Sequence, residues 1–369
     1  MDVMPKWAEV ILVPLISLLL AAFISALVIL AIGEDPIAAA ALMIEGALGS
    51  VRGWGYTLYY ATNFIFTGLA VSVAFHARLF NIGGEGQAML GGLGVAYALL
   101  YIAWPHWSIG LIAATAMAAL FGAAWAAIPA YLQAKRGSHI VITTIMFNFI
   151  ASALLIYLIN EFLKPVGQSD PSSARFAEHL DLPTLNSVLT GMGIKASKDD
   201  SVNVTFLIAL ACAVGVWVLM WKTRLGYEIR AFGHSEQGAK YAGINPVKIT
   251  VITMIISGGL AGLMAINTVM GESEKLILNS TEGAGFIGIA VALMGRSHPL
   301  GVVIAAILFG FLYQGGAEIA LWTSIPRELI VVIQALVILF TGALDNMVRM
   351  PLERIFLAVR RNKAAGPAE

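Results

Sequence analysis

The hydrophobic positions of this chain are gathered into long runs, which short polar segments separate. Most runs approach or reach the roughly 20 residues that an α-helix needs to cross a bilayer core. They lack the strict alternation of a strand and exceed its usual length. Nine of them are Trp7–Ile32, Tyr56–Ala77, Glu85–Trp104, Ser108–Gln133, His139–Phe162, Val202–Trp221, Val247–Met270, Leu300–Tyr313 and Leu329–Asp345, and a shorter tenth is Gly285–Gly295.

Composition supports the same interpretation. The chain has 369 residues, of which 59% are hydrophobic and only 12% are charged. A soluble domain is nearer 45–50% apolar and about 25% charged, so the solvent around most of this chain must be lipid. The sequence therefore predicts an all-α fold: one polytopic transmembrane helical bundle over residues 1–369, with about nine to ten membrane helices. The first run is as long as a span and precedes no clear cleavage site, which predicts a retained helix.

The basic residues predict an orientation. If the spans alternate from a cytoplasmic N-terminus, 15 of the 22 Lys and Arg residues lie on the cytoplasmic side. Both termini are then cytoplasmic, with a tail at 347–369, and the polar segment 164–201 is an external loop. The polar segment 223–246 faces the cytoplasm. Its helix formers and small residues predict one short amphipathic helix along the membrane surface, and the alternative is a plain solvated loop.

Several kinds of chemistry lack a sequence signal. The formal net charge is zero, so no electrostatic footprint for nucleic acid exists. No phosphate-binding loop and no zinc-protease motif occurs, which predicts that the chain does not hydrolyse ATP and holds no cofactor or metal. His298 has no partner histidine or cysteine near it and is interpreted as a helix-end residue. Acidic residues fall near the ends of the runs, which argues against a proton-coupled carrier.

Two polar, glycine-rich interruptions are candidates for the walls of a transport pathway. The first contains Asn81, Glu85 and Gln87, and the second contains Glu282 and is followed by Phe286. In the predicted topology the first lies toward the cytoplasm and the second toward the outside. Such a pair is typical of inverted repeats with short broken or re-entrant helices. For Glu85, a helix-capping role is the alternative to substrate contact.

Two asparagines lie inside apolar runs, at Asn148 and Asn267. Interhelical hydrogen bonding explains such residues in most membrane bundles. The alternative, also kept open, is that both side chains line the polar pathway.

Four motifs in order resemble the permeases of ATP-binding-cassette (ABC) importers of the nucleoside/simple-sugar type, within the family that also serves branched-chain amino acids and ribose. They are "TGLAVSVAFHARLFNIGGEGQAMLGG", "TRLGYEIRAFGHSEQGAKYAGI", "SGGLAGLMA" and "GFIGIAVALMGRSHPLG". The resemblance runs over roughly Leu42–Asp345. The first and last motifs are most similar to the nucleoside branch.

The resemblance implies a set of partners. These are a cytoplasmic ABC ATPase, which binds ATP and Mg, a second permease subunit that is identical or related, and an extracytoplasmic substrate-binding protein. The surface helix at 223–246 falls where the family places its coupling helix. The residues expected to contact the ATPase are Glu228, Arg230, Ala231, Gly233, Ala239 and Gly243.

The chain departs from the family pattern at two positions. Asn63 stands where proline is common, and Arg78 stands where glycine is common. Because either could alter substrate choice, simple sugars and branched-chain amino acids stay open as alternative cargoes to nucleosides. A channel, an ion-coupled carrier and an intramembrane enzyme are the alternative classes.

Overall fold

The computed structural model describes residues 5, 8, 12–184, 187, 202–323, 325, 327–340, 349–354 and 356–357. These residues are mostly helical, and the β-pairing among them consists of two isolated bridges. The all-α bundle is thus confirmed. In chain order the helices are α1 Val13–Ile32, α2 Pro36–Leu48, α3 Val51–His76, α4 Gly84–Tyr101, α5 Trp107–Arg136, α6 Ile140–Leu158, α7 Thr205–Lys222, α8 Arg224–His234, α9 Glu236–Tyr241, α10 Pro246–Ala265, α11 Ala284–Met294, α12 Pro299–Trp322 and α13 Arg327–Ile338.

Helix α6 continues as a π-helix through Ile159–Leu163, and α10 continues as a π-helix through Ile266–Glu272. A 3₁₀ turn at Glu178–Leu180 belongs to the loop after α6. Residues 185, 186 and 188–201 of the predicted external loop and most of the predicted tail at 347–369 lie outside the described residues.

Seven described helices are long and apolar enough to cross a membrane, which confirms a multi-pass membrane protein. They are Leu15–Ile32, Val51–His76, Trp107–Arg136, Ile140–Leu163, Thr205–Lys222, Pro246–Glu272 and Pro299–Trp322. The total of nine to ten stays a prediction, because α4 is rich in glycine and the predicted last span extends into residues 341–348, outside the described part.

The chain divides into two compact units. One is Ala47–Gln314, and the other combines the described residues of Met1–Gly46 and Gly315–Glu369. The single domain over residues 1–369 stays a prediction. In the smaller unit an apolar cluster of α1, α2, α12 and α13 holds Ile29, Ala39, Ile319, Ile325 and Ile333.

The larger unit is built around α3, which is buried along most of its length. Its closest helix pair is α5 with α10, where glycines allow backbone contact. A Cβ atom on Gly122 would overlap the carbonyl oxygen of Gly258, and one on Gly262 would overlap that of Ala118. Gly258 and Gly262 form a G-x-x-x-G pair, and such small residues let membrane helices approach closely.

The segment predicted as one surface helix is two helices, which corrects that prediction. Ser235 has an extended backbone between α8 and α9, with φ −155° and ψ 111°. Its hydroxyl oxygen accepts a hydrogen bond from the N–H of Gly238 at 3.1 Å and so caps α9. A serine cap satisfies an otherwise unpaired N–H at a helix start, and this local bond breaks the helix at Ser235.

Candidate translocation site

The first predicted interruption is a loop that turns back into the bundle. After α3 ends at His76, the segment 77–83 leads to α4, whose first residue Gly84 packs against Gly285 at the start of α11. A Cβ atom on Gly285 would overlap the backbone of Glu85, so this contact requires glycine. The two interruptions therefore meet inside the larger unit.

Glu85 joins the two helix starts. One carboxylate oxygen accepts a hydrogen bond from the N–H of Gly283 at 3.0 Å, and the other accepts one from Gly285 at 2.8 Å. The Thr281 hydroxyl donates to the same carboxylate. Glu85 is thus a cap for α11 as well as a first-turn residue of α4, where a negative charge is favourable. The prediction that Glu85 and Glu282 lie toward opposite sides is wrong, because both sequence breaks end inside the bundle at one place.

The helix α11 is a half-length element beside the second half of α3. Its 11 residues span about 16 Å, too short for a hydrocarbon core of about 30 Å. Gly288 packs on Thr67 of α3. Beyond the end of α11, the Ser297 carbonyl accepts the Ser72 hydroxyl at 2.6 Å and lies 3.0 Å from His76 Nε2.

A narrow cleft lies at the head of α11, near the middle of α3. We call it the α3 cleft. Its volume is about 10 Å³, which is space for about one water molecule. It is lined by Tyr59, Tyr60, Asn63, Phe64, Thr268, Ser280, Thr281, Glu282, Ala284 and Tyr313.

Aromatic rings form one wall of the α3 cleft. The Tyr313 ring of α12 lies 5.0 Å from the ring of Phe64 and 5.6 Å from that of Tyr60. Tyr59 adds a third phenol, 5.3 Å from Tyr60 between ring centroids. These spacings are in the range of favourable aromatic pairs. The sequence patterns assigned no role to these residues, although the spacing of Tyr56, Tyr59, Tyr60 and Phe64 on one helix was a usable signal.

Asn267 holds the region beside the cleft together. Its amide donates to Asn63 Oδ1 at 2.8 Å and to the Tyr59 carbonyl at 3.1 Å. Its own oxygen accepts from the Thr205 hydroxyl at 2.7 Å and from Asn203 Nδ2 at 3.1 Å. The residue is buried in the π-helical end of α10, a kind of irregularity that often accompanies functional sites.

Asn81, Gln87 and Asn148 organise the returning loop. Asn81 Nδ2 donates to Gln87 Oε1 at 2.9 Å and to Ser257 Oγ at 2.8 Å. Asn148 accepts from the N–H of Gly86 and donates to the Ile82 carbonyl, both at 2.9 Å. Backbone at membrane depth needs such partners. All three side chains are buried.

Glu282 and Phe286 are both exposed, and Glu282 lines the α3 cleft. Glu282 has a φ of 46°, in the left-handed region that non-glycine residues seldom adopt. The structure thus brings Glu85, Glu282 and Asn267 around the cleft, with Asn81, Gln87 and Asn148 in the loop behind it. Their roles in a pathway stay predictions.

At the C-terminal end of α3, the surface helices α8 and α9 pack on the bundle. A Cβ atom on Gly233 would overlap the carbonyl oxygen of His76, and Ala239 is also buried. Glu228, Arg230 and Ala231 are partly buried, and Gly243 is exposed at a φ of 81°. The exposed positions include Tyr227, Glu236 and Tyr241, and contact with an ATPase stays a prediction for the six residues.

Arg230 connects α8 to the bundle. Its guanidinium lies 6.0 Å from the ring centroid of Trp221, and Trp221 packs against His76 at 5.3 Å and His298 at 5.1 Å. His298 is thus a packing residue after α11. Among the described residues, no group of three or more His, Cys, Asp or Glu could hold a metal ion.

A family model for the permease component of branched-chain amino acid transport systems matches residues 53–342. The chain belongs to this permease family. It is 33% identical to a glucose ABC transporter permease of Haloferax volcanii over 96% of this chain and 92% of the relative. It is also 33% identical to a guanosine permease of Bacillus subtilis, over 92% and 95%, and to a nucleoside permease of Lactococcus lactis, over 89% and 90%. No solved structure matches the chain.

These comparisons confirm the resemblance found in the motifs. The protein is a membrane-spanning permease subunit of an ABC transporter and is not itself the enzyme of that system. Its family implies an ATPase and a substrate-binding protein as partners in general.

Proposed function

We propose that this permease carries nucleosides into the cell across the cytoplasmic membrane, driven by a separate ATPase. The observation that carries the proposal is the α3 cleft, where aromatic rings and polar side chains meet at the head of a half-length helix. A nucleoside has a flat base and a sugar rich in hydroxyl groups, and it needs both kinds of wall. The guanosine and nucleoside permeases among the relatives support the same cargo.

The ATPase would bind at the end that carries α8 and α9. A cavity of about 320 Å³ lies beneath them, and Arg78, Phe232 and Glu236 line it. Gly233 fixes α8 directly to the end of α3, so a push on α8 reaches the central helix. In this arrangement the exposed Tyr227 and Tyr241 supply contact area, and Gly243 ends the segment. This end is cytoplasmic in our proposal, as are both termini.

The substrate-binding protein would dock at the other end. There the loop after α6 forms hydrogen bonds with the segment that precedes the second interruption, the one that contains Glu282. The Ser173 N–H donates to the Leu276 carbonyl at 2.9 Å, and the Phe176 N–H donates to the Glu274 carbonyl at 2.8 Å. Arg175 also pairs with Glu274. A docked protein that moved this loop would move the turn next to the α3 cleft.

The proposed mechanism is alternating access. ATP binding would draw the two ATPases together, move the two permease subunits through their α8–α9 segments, and open the cleft to one side at a time. Hydrolysis would reset the cycle. Nucleotide and Mg would be held by the ATPase, and this chain would supply the passage.

A simple sugar is the second candidate cargo, since the glucose permease relative is as similar as the nucleoside ones. The test is uptake of labelled guanosine, uridine, ribose and glucose by cells that lack this chain and then regain it. We expect loss and recovery of nucleoside uptake with both sugars unaffected. Loss and recovery of sugar uptake alone would overturn the nucleoside proposal.

A further inference from the structure

We propose that the α3 cleft is a binding site for neutral nucleosides and that two carboxylates at its edge reject phosphorylated ones. The inference rests on the proposed function and names the chemistry that this site recognises. Three observations carry it: the aromatic wall, a buried hydroxyl without a partner, and two acidic side chains that no described cation neutralises.

The aromatic wall favours a flat ring. Tyr60 and Tyr313 come from different helices, and their rings lie 5.6 Å apart with an interplanar angle of 46°. If α3 and α12 separate as the cleft opens, a base enters between the two rings and replaces their mutual contact with stacking on itself. Stacking on aromatic side chains is strong and tolerates different bases. A free hexose has no π-system and would contact these rings only through its C–H groups.

The Thr268 hydroxyl is a polar group that could bind a ligand, because it forms no hydrogen bond within the protein. Thr268 is 4% exposed and lines the cleft, and its Oγ1 has no hydrogen-bond partner. A buried hydroxyl that stays unpaired is costly, so native structures seldom keep one without a reason. A ligand that places a hydroxyl or ring nitrogen in the cleft would pair with it.

Two carboxylates give the edge of the cleft a negative field. Glu282 lines it, and Glu272 ends the π-helical stretch of α10, four residues after Thr268, which also lines the cleft. In the described part of the chain, neither glutamate forms an ion pair with a lysine or arginine.

This field separates nucleosides from nucleotides. The hydroxyl groups of a ribose can donate hydrogen bonds to carboxylates, and such bonds are stronger than neutral ones. A phosphate would instead bring two further negative charges toward Glu272 and Glu282, and juxtaposed like charges weaken binding strongly. Import would therefore be limited to uncharged nucleosides at this step.

The test measures how fast a cysteine at the cleft reacts with a methanethiosulfonate reagent. Cys212→Ala removes the only native cysteine of the sequence, and Glu282→Cys places one at the cleft. Labelling of the full chain is followed in membranes from cells that express it, with guanosine, guanosine monophosphate or glucose added. The matched control is Val166→Cys, a fully exposed position in the loop after α6.

We expect guanosine to slow labelling of Glu282→Cys about tenfold, through loss of access under a stacked base, and to leave Val166→Cys unchanged. Glucose should have no effect. Adding Thr268→Val should raise the guanosine concentration for half protection about fivefold, as for one lost hydrogen bond. Thr268→Ser, which keeps the hydroxyl, should restore protection. Equal protection by glucose, or no protection by guanosine, would overturn the site.

Guanosine monophosphate tests the effect of the two carboxylates. Guanosine monophosphate should protect Glu282→Cys only at concentrations about tenfold higher than guanosine, since Glu272 remains. Adding Glu272→Gln should close that gap, because it removes the remaining negative charge that opposes the phosphate. Equal protection by both compounds while Glu272 is present would contradict the rejection of nucleotides.

Uptake by the wild-type chain, measured in parallel, separates this inference from the proposed function. Guanosine uptake without protection would overturn the α3 cleft as the site and leave the nucleoside importer standing. Protection in cells that take up no guanosine would support the site and overturn nucleoside import as the function.

Discussion

The carboxylate of Glu85 accepts a hydrogen bond from the backbone N–H of Gly285 at 2.8 Å, across 200 residues of sequence. This contact joins the first turn of α4 to the first turn of α11. At both helix starts the first N–H groups lack a carbonyl partner within their own helix, and the positive dipole ends of both helices favour the negative charge. The contact fixes the head of the half-length helix that lines the α3 cleft.

Removing this carboxylate should loosen the junction. We expect Glu85→Ala to destabilise the chain by about 2 kcal/mol, because the N–H groups of Gly283 and Gly285 lose a charged partner. Glu85→Gln keeps one acceptor oxygen and should cost less. Thermal denaturation of the detergent-solubilised chain measures both. The control is Glu161→Ala, an exposed acid at the end of α6, and equal effects of Glu85→Ala and Glu161→Ala would contradict the capping role.

Enlarging Gly233 should uncouple the surface helices from α3. A valine there would overlap the His76 carbonyl and displace α8. We therefore expect Gly233→Val to abolish nucleoside uptake while the chain still reaches the membrane. Gly238→Ala is the control, since Gly238 is exposed on α9 and its new methyl group would meet only the Ser235 side chain. Normal uptake by Gly233→Val would show that this contact transmits nothing.

The glycine contact between α5 and α10 should be intolerant of side chains. Gly258→Val would force a branched side chain into Ala126 and the backbone of Gly122, and overpacking of this kind costs about 1–3 kcal/mol or more. Gly215→Ala provides the comparison, because no atom lies within 4 Å of its new methyl group. We expect Gly215→Ala to be neutral or stabilising by up to about 1 kcal/mol. The same thermal measurement distinguishes the two variants.

The hydrogen bonds of Asn267 should stabilise the chain around the α3 cleft. Asn267→Leu leaves Asn63, Asn203 and Thr205 without a shared partner, so we expect about 2 kcal/mol of destabilisation and reduced uptake. Asn160→Leu replaces an exposed asparagine at the end of α6 and should change neither. If the two variants have the same stability and uptake, the network around Asn267 does not hold the cleft.

Much of the fold could be predicted from local sequence. Long apolar runs fix where helices can cross a bilayer, and the polar breaks near Glu85 and Glu282 were recognisable because membrane helices seldom contain such groups. The meeting of the two breaks was not predictable, because it depends on contacts between residues 200 positions apart. Without it, alternation of spans placed the two glutamates on opposite sides.

Other features escaped because they are short or nonlocal. The 13-residue α2, Pro36–Leu48, is too short for a span and contains Glu45, so the hydropathy pattern did not predict it. The break at Ser235 depends on one capping hydrogen bond. Gly233 was attributed to partner contact, whereas its position against His76 is visible only in three dimensions. Thr268 could be recognised only from the structure, in which its buried hydroxyl has no hydrogen-bond partner and the residue lines the cleft.

We expect this chain to import nucleosides using energy from ATP. The most direct measurement is its guanosine uptake, taken as the difference between cells with and without the chain, after two treatments. One treatment depletes ATP and keeps the membrane potential, and the other collapses the proton gradient while ATP is maintained. We expect uptake to stop in the first case and to persist in the second. Uptake that persists after ATP depletion and stops when the proton gradient is collapsed would contradict ATP-driven import and indicate an ion-coupled carrier.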